Sequence, residues 1–203
     1  MRIRFKYILA QLLSYALHPG LLPTLGAAYV LFVLPTVFAY ESIVLLATIV
    51  FTGTYLIPIL IIYILTLLGV IESVYLIKKQ DRVYPYVISA FSAMLTSRIL
   101  LNINAPKEMV YCTLAYAFVI VVSAILIPFF KSSAHMAGMG GFAGLFLALY
   151  EKYQVGSVEG MLLIVCLGGA VAWSRMSLKR HTLLELLSGS ILGFLTLFVL
   201  LSR

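Results

Sequence analysis

The sequence predicts an all-α integral membrane protein: a polytopic helical bundle of about six to seven transmembrane helices, preceded by an N-terminal helix lying at the membrane interface. Three observations carry this. Hydrophobic residues make up 63% of the chain and charged residues 10%, where a soluble domain carries about 25% charged residues. The mean hydropathy is +1.11. Apolar runs of about 20 residues, the length that crosses a bilayer as a helix, recur along the whole chain. A β-barrel would instead show alternating segments of about 10 residues, and none is present. No internal repeat or low-complexity linker divides the 203 residues, so residues 1–203 read as one domain. Residues 1–20 are its interfacial helix and residues 78–194 hold its polar motifs.

The start, "MRIRFKYILAQLLSYALHPG", has a basic beginning, but Gln11, Ser14 and His18 interrupt its apolar part and no small-residue cleavage site follows. It reads as a retained amphipathic helix rather than a signal peptide, with Ile8, Leu9, Leu12, Leu13, Ala16 and Leu17 on one face and Pro19 ending it. The predicted spans are 21–40, 42–66, 84–102, 108–130, 136–151, 158–173 and 183–202. The second is overlong, Pro58 offers it a kink, and its continuation through Glu72 turns onto the membrane surface. The fifth, "AHMAGMGGFAGLFLALY", is rich in Gly and Ala, so neighbouring backbones can approach it closely and it belongs at the centre of the bundle.

Lys and Arg number 14 against 7 Asp and Glu. They lie at loop ends and form no continuous stripe, which argues against nucleic acid and for lipid headgroups, phosphate and topology. Cys112 and Cys166 sit inside apolar runs without metal-ligand spacing, and no acidic cluster suggests Mg²⁺ or Zn²⁺. With seven crossings, the N-terminus and the loops near 78–82, 131–135 and 174–181 share one face. The positive-inside rule accounts for the Lys and Arg there and points that face to the cytoplasm, with the outer side as the alternative; the expected membrane is the inner membrane of a bacterium. It leaves His135, His181 and Glu185 unexplained, and ionisable groups at the boundary of a bundle point to function.

In "SRMSLKRHTLLELLSGSILGF", His181 and Glu185 are four apart, within reach of each other on one face of a helix opening near residue 180. A carboxylate bonded to one ring nitrogen fixes the tautomer and leaves the other nitrogen free to attack. Arg175 brings a planar fork of donors suited to phosphate oxygens. In "KSSAHMAG", Ser133 is a good N-cap for a helix beginning near Ala134, whose free N–H groups suit an anion, and His135 stands at the same place. "KKQDRVYPY" adds Lys78, Lys79 and Arg82. A nucleophile with its orienter, a second histidine as acid, and cations with backbone donors form a parts list for phosphoryl transfer without a metal or other cofactor. His18, Lys179 and Arg180 read more simply as interface or topology residues, and Arg82 carries that reading beside the functional one.

On these residues the chain resembles the membrane lipid phosphate phosphatase branch of the type 2 phosphatidic acid phosphatase superfamily. That family's third motif is Ser-Arg-x5-His-x3-Asp. Here Ser174, Arg175 and His181 match, Glu185 replaces the Asp, and Gly189 and Gly193 fall at the usual glycine positions. Its second motif, Pro-Ser-Gly-His, reads Ser132-Ser133-Ala134-His135. Its first, Lys-x6-Arg-Pro, is met poorly: Pro85 lies two residues too far from Arg82, Tyr75 stands where the Lys would fall, and Lys78 or Lys79 would have to substitute. The resemblance covers residues 78–194. It implies that His181 attacks phosphorus to form a phosphohistidine and that Glu185 holds its ring. His135 would protonate the leaving oxygen. Arg175, Arg82, Lys78 or Lys79, and the Ser133–Ala134 backbone would clamp the phosphate of a membrane lipid. Two other readings follow: a non-catalytic lipid-phosphate binder of the same fold, and a phosphotransferase passing the group to another alcohol. A transporter would be expected to show repeat symmetry or paired broken helices, and neither is evident.

Overall fold

The computed structural model describes residues 2–36, 38–71 and 83–202. Among these, none is in a strand. The helices run α1 (Arg2–Ala16), α2 (Leu22–Val33), α3 (Tyr40–Phe51), α4 (Ile57–Leu67), α5 (Val83–Asn102), α6 (Lys107–Leu126), α7 (Ala134–Tyr153), α8 (Val158–Ser177) and α9 (Leu183–Leu201). Among the described residues, four rods are long and apolar enough to cross a membrane: Tyr40–Leu67, α6, α8 and α9.

One sequence expectation changes here. The run 21–40 does not form one crossing. Leu34 precedes Pro35, and the proline ring pushes its predecessor out of the helical region; Leu34 is extended, with φ −63° and ψ 143°. The 12 residues of α2 reach about 18 Å, short of the ~30 Å hydrocarbon core. Helix α1 packs on the bundle through its small side chains. Ile8, Leu9 and Leu12 are exposed, whereas Ala10 and Ser14 are buried against α8. Small side chains let α1 approach α8 closely, and the larger apolar ones are left for lipid. The predicted surface segment from Glu72 onward, with the cations Lys78, Lys79 and Arg82, lies outside the described residues.

The kink expected at Pro58 is a wide turn. Residues Thr52–Leu56 form a π-helical turn between α3 and α4, directly before the proline that cannot donate to the preceding turn. Thr54 Oγ1 lies there 2.8 Å from the Val50 carbonyl and 3.2 Å from the Gly20 carbonyl, which ties the bend to the α1–α2 connection.

α7 lies against α2, α6, α8 and α9, most extensively against α9. The reason is a pair of glycine faces. A Cβ at Gly193 would fall on the carbonyl oxygen of Ala137, one at Gly189 on that of Ser133, and one at Gly140 on that of Ser190. The two backbones therefore touch. The larger apolar core, including Val30, Leu100, Met109, Leu145, Leu149 and Leu201, fills one end of the bundle. At that end Glu108 accepts from Tyr153 Oη at 2.6 Å and pairs with Lys152 at 3.3 Å. A smaller cluster, Leu22, Met136, Met139, Val171 and Leu186, joins α2, α7, α8 and α9 near the other end, where the polar motifs meet.

Candidate active site

Three chain turns build the site. The first ends α8. Lys179 takes a left-handed backbone at φ 52°, so the Arg180 N–H returns to the Arg175 carbonyl at 3.0 Å and the Lys179 N–H to the Met176 carbonyl at 2.9 Å. Such a closure reverses the chain at a helix C-terminus. It brings His181 back toward Arg175, which sits in the last turn of α8.

The second opens α9. The helix begins at Leu183, not near residue 180, because Thr182 is its N-cap. His181 therefore stands outside the helix, and its pairing with Glu185 is a cap geometry rather than a helix-face pair. Glu185 occupies the third helical position and closes a capping box with Thr182. Its Oε2 accepts from the Thr182 N–H at 3.0 Å and from His181 Nδ1 at 3.2 Å. A glutamate reaches both donors at once, so the extra methylene relative to aspartate has a structural use here. His181 Nδ1 carries the hydrogen, since a carboxylate only accepts, and Nε2 has no protein partner among the described residues.

The third opens α7 at Ala134, with Ser133 as N-cap and its Oγ accepting from the Met136 N–H at 3.5 Å. The Ser133 N–H donates to the Glu185 carbonyl at 3.0 Å, which fastens the two helix starts together. The backbone donors left for an anion are then those of Ala134 and His135, since the first N–H groups of a helix have no intrahelical partner. Ser132 is buried, and its Oγ has no hydrogen-bond partner among the described residues. Lys131 Nζ donates to the Arg180 carbonyl at 2.8 Å.

Burial is the main cause that brings the His181 pKa down to about 4, with Arg175 and Lys131 adding to it and Glu185 opposing them. The ring is therefore neutral at pH 7, as a nucleophile must be. The same burial, and again Arg175, brings His18 down to about 4.

His135, Arg175, Arg180 and His181 line one cavity of about 710 Å³. It continues between apolar walls that include Leu22, Ile59, Ile120, Leu145 and Leu197. Gln11, Ser14 and His18 line it too. Sequence reasoning left His18 as an interface residue, but its ring packs edge-on against His135 at 5.9 Å and against Tyr55 at 5.5 Å. A signal for this was present: the polar residues 11, 14 and 18 recur at helical spacing within an apolar helix.

Fold and site together define a class: a helical membrane protein that gathers two motif histidines, an arginine and a carboxylate at the head of an internal cavity. Residues 127–203 match the family model of the PAP2 superfamily. The match covers His135, Arg175, His181 and Glu185 and begins after the poorly met first motif. Over these 77 of its 203 residues the chain is similar to that superfamily, whose members are usually phosphatases. No curated protein and no solved structure matches the chain.

Proposed function

We propose that the protein hydrolyses a phosphorylated membrane lipid without a metal, through a phosphohistidine on His181. The observation that carries this is the His181–Glu185 pair: Nδ1 is engaged by the carboxylate and Nε2 is left for phosphorus. Nε2 attacks, the ester P–O bond breaks, and His135 gives its proton to the leaving oxygen. His135 then takes a proton from the water that attacks the phosphohistidine, and phosphate and free His181 result. Arg175 and the Ala134 and His135 N–H groups stabilise the phosphoryl oxygens. The lipid tail extends along the apolar walls of the cavity, which supports a lipid rather than a soluble ester.

The test is phosphate release from a panel of lipid phosphomonoesters and diphosphates in detergent without added metal. Glu185→Gln keeps the size of the side chain and removes its charge, and should lower kcat roughly 10²-fold. Wild-type turnover by this variant would remove the orienting role of Glu185. The acid limb follows from His181. Protonation destroys the nucleophile, so a pKa lowered from 6.5 to about 4 extends activity downward. We expect a bell-shaped kcat/KM, which reports the free enzyme: the acid limb falls near pH 4 as His181 is protonated, and the basic limb falls as His135 loses the proton it delivers. An acid limb near pH 6.5 would show that His181 is not the buried neutral ring described above.

A further inference from the structure

The N-terminal helix carries a polar stripe that the phosphatase reading does not use. Ser14 lies within it and is 7% exposed. Its Oγ accepts from Arg175 Nη1 at 2.6 Å and lies 3.2 Å from His135 Nε2. Its backbone carbonyl lies 3.1 Å from the same nitrogen. A carbonyl only accepts, so His135 Nε2 carries the hydrogen and the Ser14 oxygens receive it. His135 Nδ1 then has no protein partner among the described residues. Helix α1 is fixed on this spot from a second side, since Ser174 Oγ, next to Arg175, donates to the Ala10 carbonyl at 2.6 Å.

We propose that Ser14 is a positioning residue of the active site: its hydroxyl bridges Arg175 and His135 and sets the guanidinium and the imidazole in their working relation. The roles of those two groups rest on the phosphohistidine reading. Ser14 serves His135 as Glu185 serves His181. In each case one ring nitrogen is held by the protein and the other is left for chemistry. The nitrogens differ: Nδ1 is held on His181 and Nε2 on His135. His135 acts as an acid from its imidazolium form, in which Nε2–H stays with Ser14 and Nδ1 carries the proton that is delivered. The serine sets the plane of the guanidinium that Arg175 presents to the phosphate. The helix that looks like a membrane anchor thus supplies a wall and a working part of the site, from a stretch outside the matched residues 127–203.

The experiment compares wild-type protein, Ser14→Ala and Ser14→Thr in detergent. Threonine keeps the hydroxyl and alanine removes it. With Ser14→Ala we expect kcat to fall at least tenfold, KM for the lipid phosphate to change less than threefold, and the thermal midpoint to stay within a few degrees. Ser14→Thr should restore most of kcat. Equal kcat in wild type and Ser14→Ala overturns the proposal, as does a Ser14→Thr protein as slow as Ser14→Ala, which would mark a packing role. A second readout needs no turnover. In ¹⁵N-labelled protein the Arg175 Nη and His135 Nε2 resonances should move in Ser14→Ala and keep their wild-type positions in Ser14→Thr. Unmoved resonances in Ser14→Ala overturn the bridge. A wild-type protein that releases no phosphate from any lipid phosphate fails the functional reading, and the resonances then decide the Ser14 bridge separately.

Discussion

His181→Ala should abolish phosphate release, by about 10³-fold or more, while the protein keeps its fold. The expectation of a large effect rests on the site's construction. His181 Nε2 is the nucleophile that Glu185 and the α8–α9 reversal present to the cavity, and no other group in the described site is placed as a nucleophile with its own carboxylate. The ring makes one hydrogen bond, to Glu185, and Glu185 keeps its capping bonds with Thr182 when that ring is removed. The thermal midpoint should therefore change little. Two measurements separate the readings: phosphate release, and trapping of acid-labile phosphate on the wild-type protein but not on the variant. Normal turnover by His181→Ala would end the covalent mechanism. Tight lipid phosphate binding without release by the wild-type protein would favour the non-catalytic relative.

Gly193→Ala should have the largest structural effect. A Cβ there would overlap the Ala137 carbonyl oxygen and crowd the Gly141 nitrogen. Both are backbone atoms of α7, so no side chain can rotate away, and the helices must separate. Overpacking of this kind costs roughly 1–3 kcal/mol, and we expect the upper part of that range because the contact is backbone on backbone. The displacement also reaches the site, since α7 carries His135, α9 carries Glu185, and the Ser133 N–H to Glu185 carbonyl bond ties their starts. Loss of both thermal stability and activity is the expected result. Gly168→Ala supplies the control, because nothing lies within 4 Å of a Cβ at that position. Equal midpoints for the two variants would show that the α7–α9 contact is looser than described.

Much of the site was legible because its parts lie close in sequence. Arg175, His181 and Glu185 fall within eleven consecutive positions, so helix geometry and charge suffice to suspect them. Ser133 capping a helix with His135 beside it is likewise a local signal. Ser14 and His18 were not assigned to the site because a polar residue on an interfacial helix has a sufficient local reason to be there. Only the docking of α1 on α8 turns them toward Arg175 and His135. The span from 183 was legible, but the cap at Thr182 that leaves His181 outside the helix was not, for a related reason: periodicity locates a helix, and its cap decides its first turn.

Composition, period and spacing alone were enough for the all-helical membrane class, the small-residue character of α7, and the histidine–carboxylate pair. These signals act over a few turns of chain. They overstated the crossing at 21–40, because a proline boundary weighs little against a long apolar run. Tertiary structure decided which face of α1 is buried, which ring nitrogen His135 keeps free, and that the two motif loops share one cavity with the N-terminal helix. Those outcomes depend on contacts between residues far apart in sequence, such as Ser14 with His135 and Arg175, and no local pattern encodes such a distance.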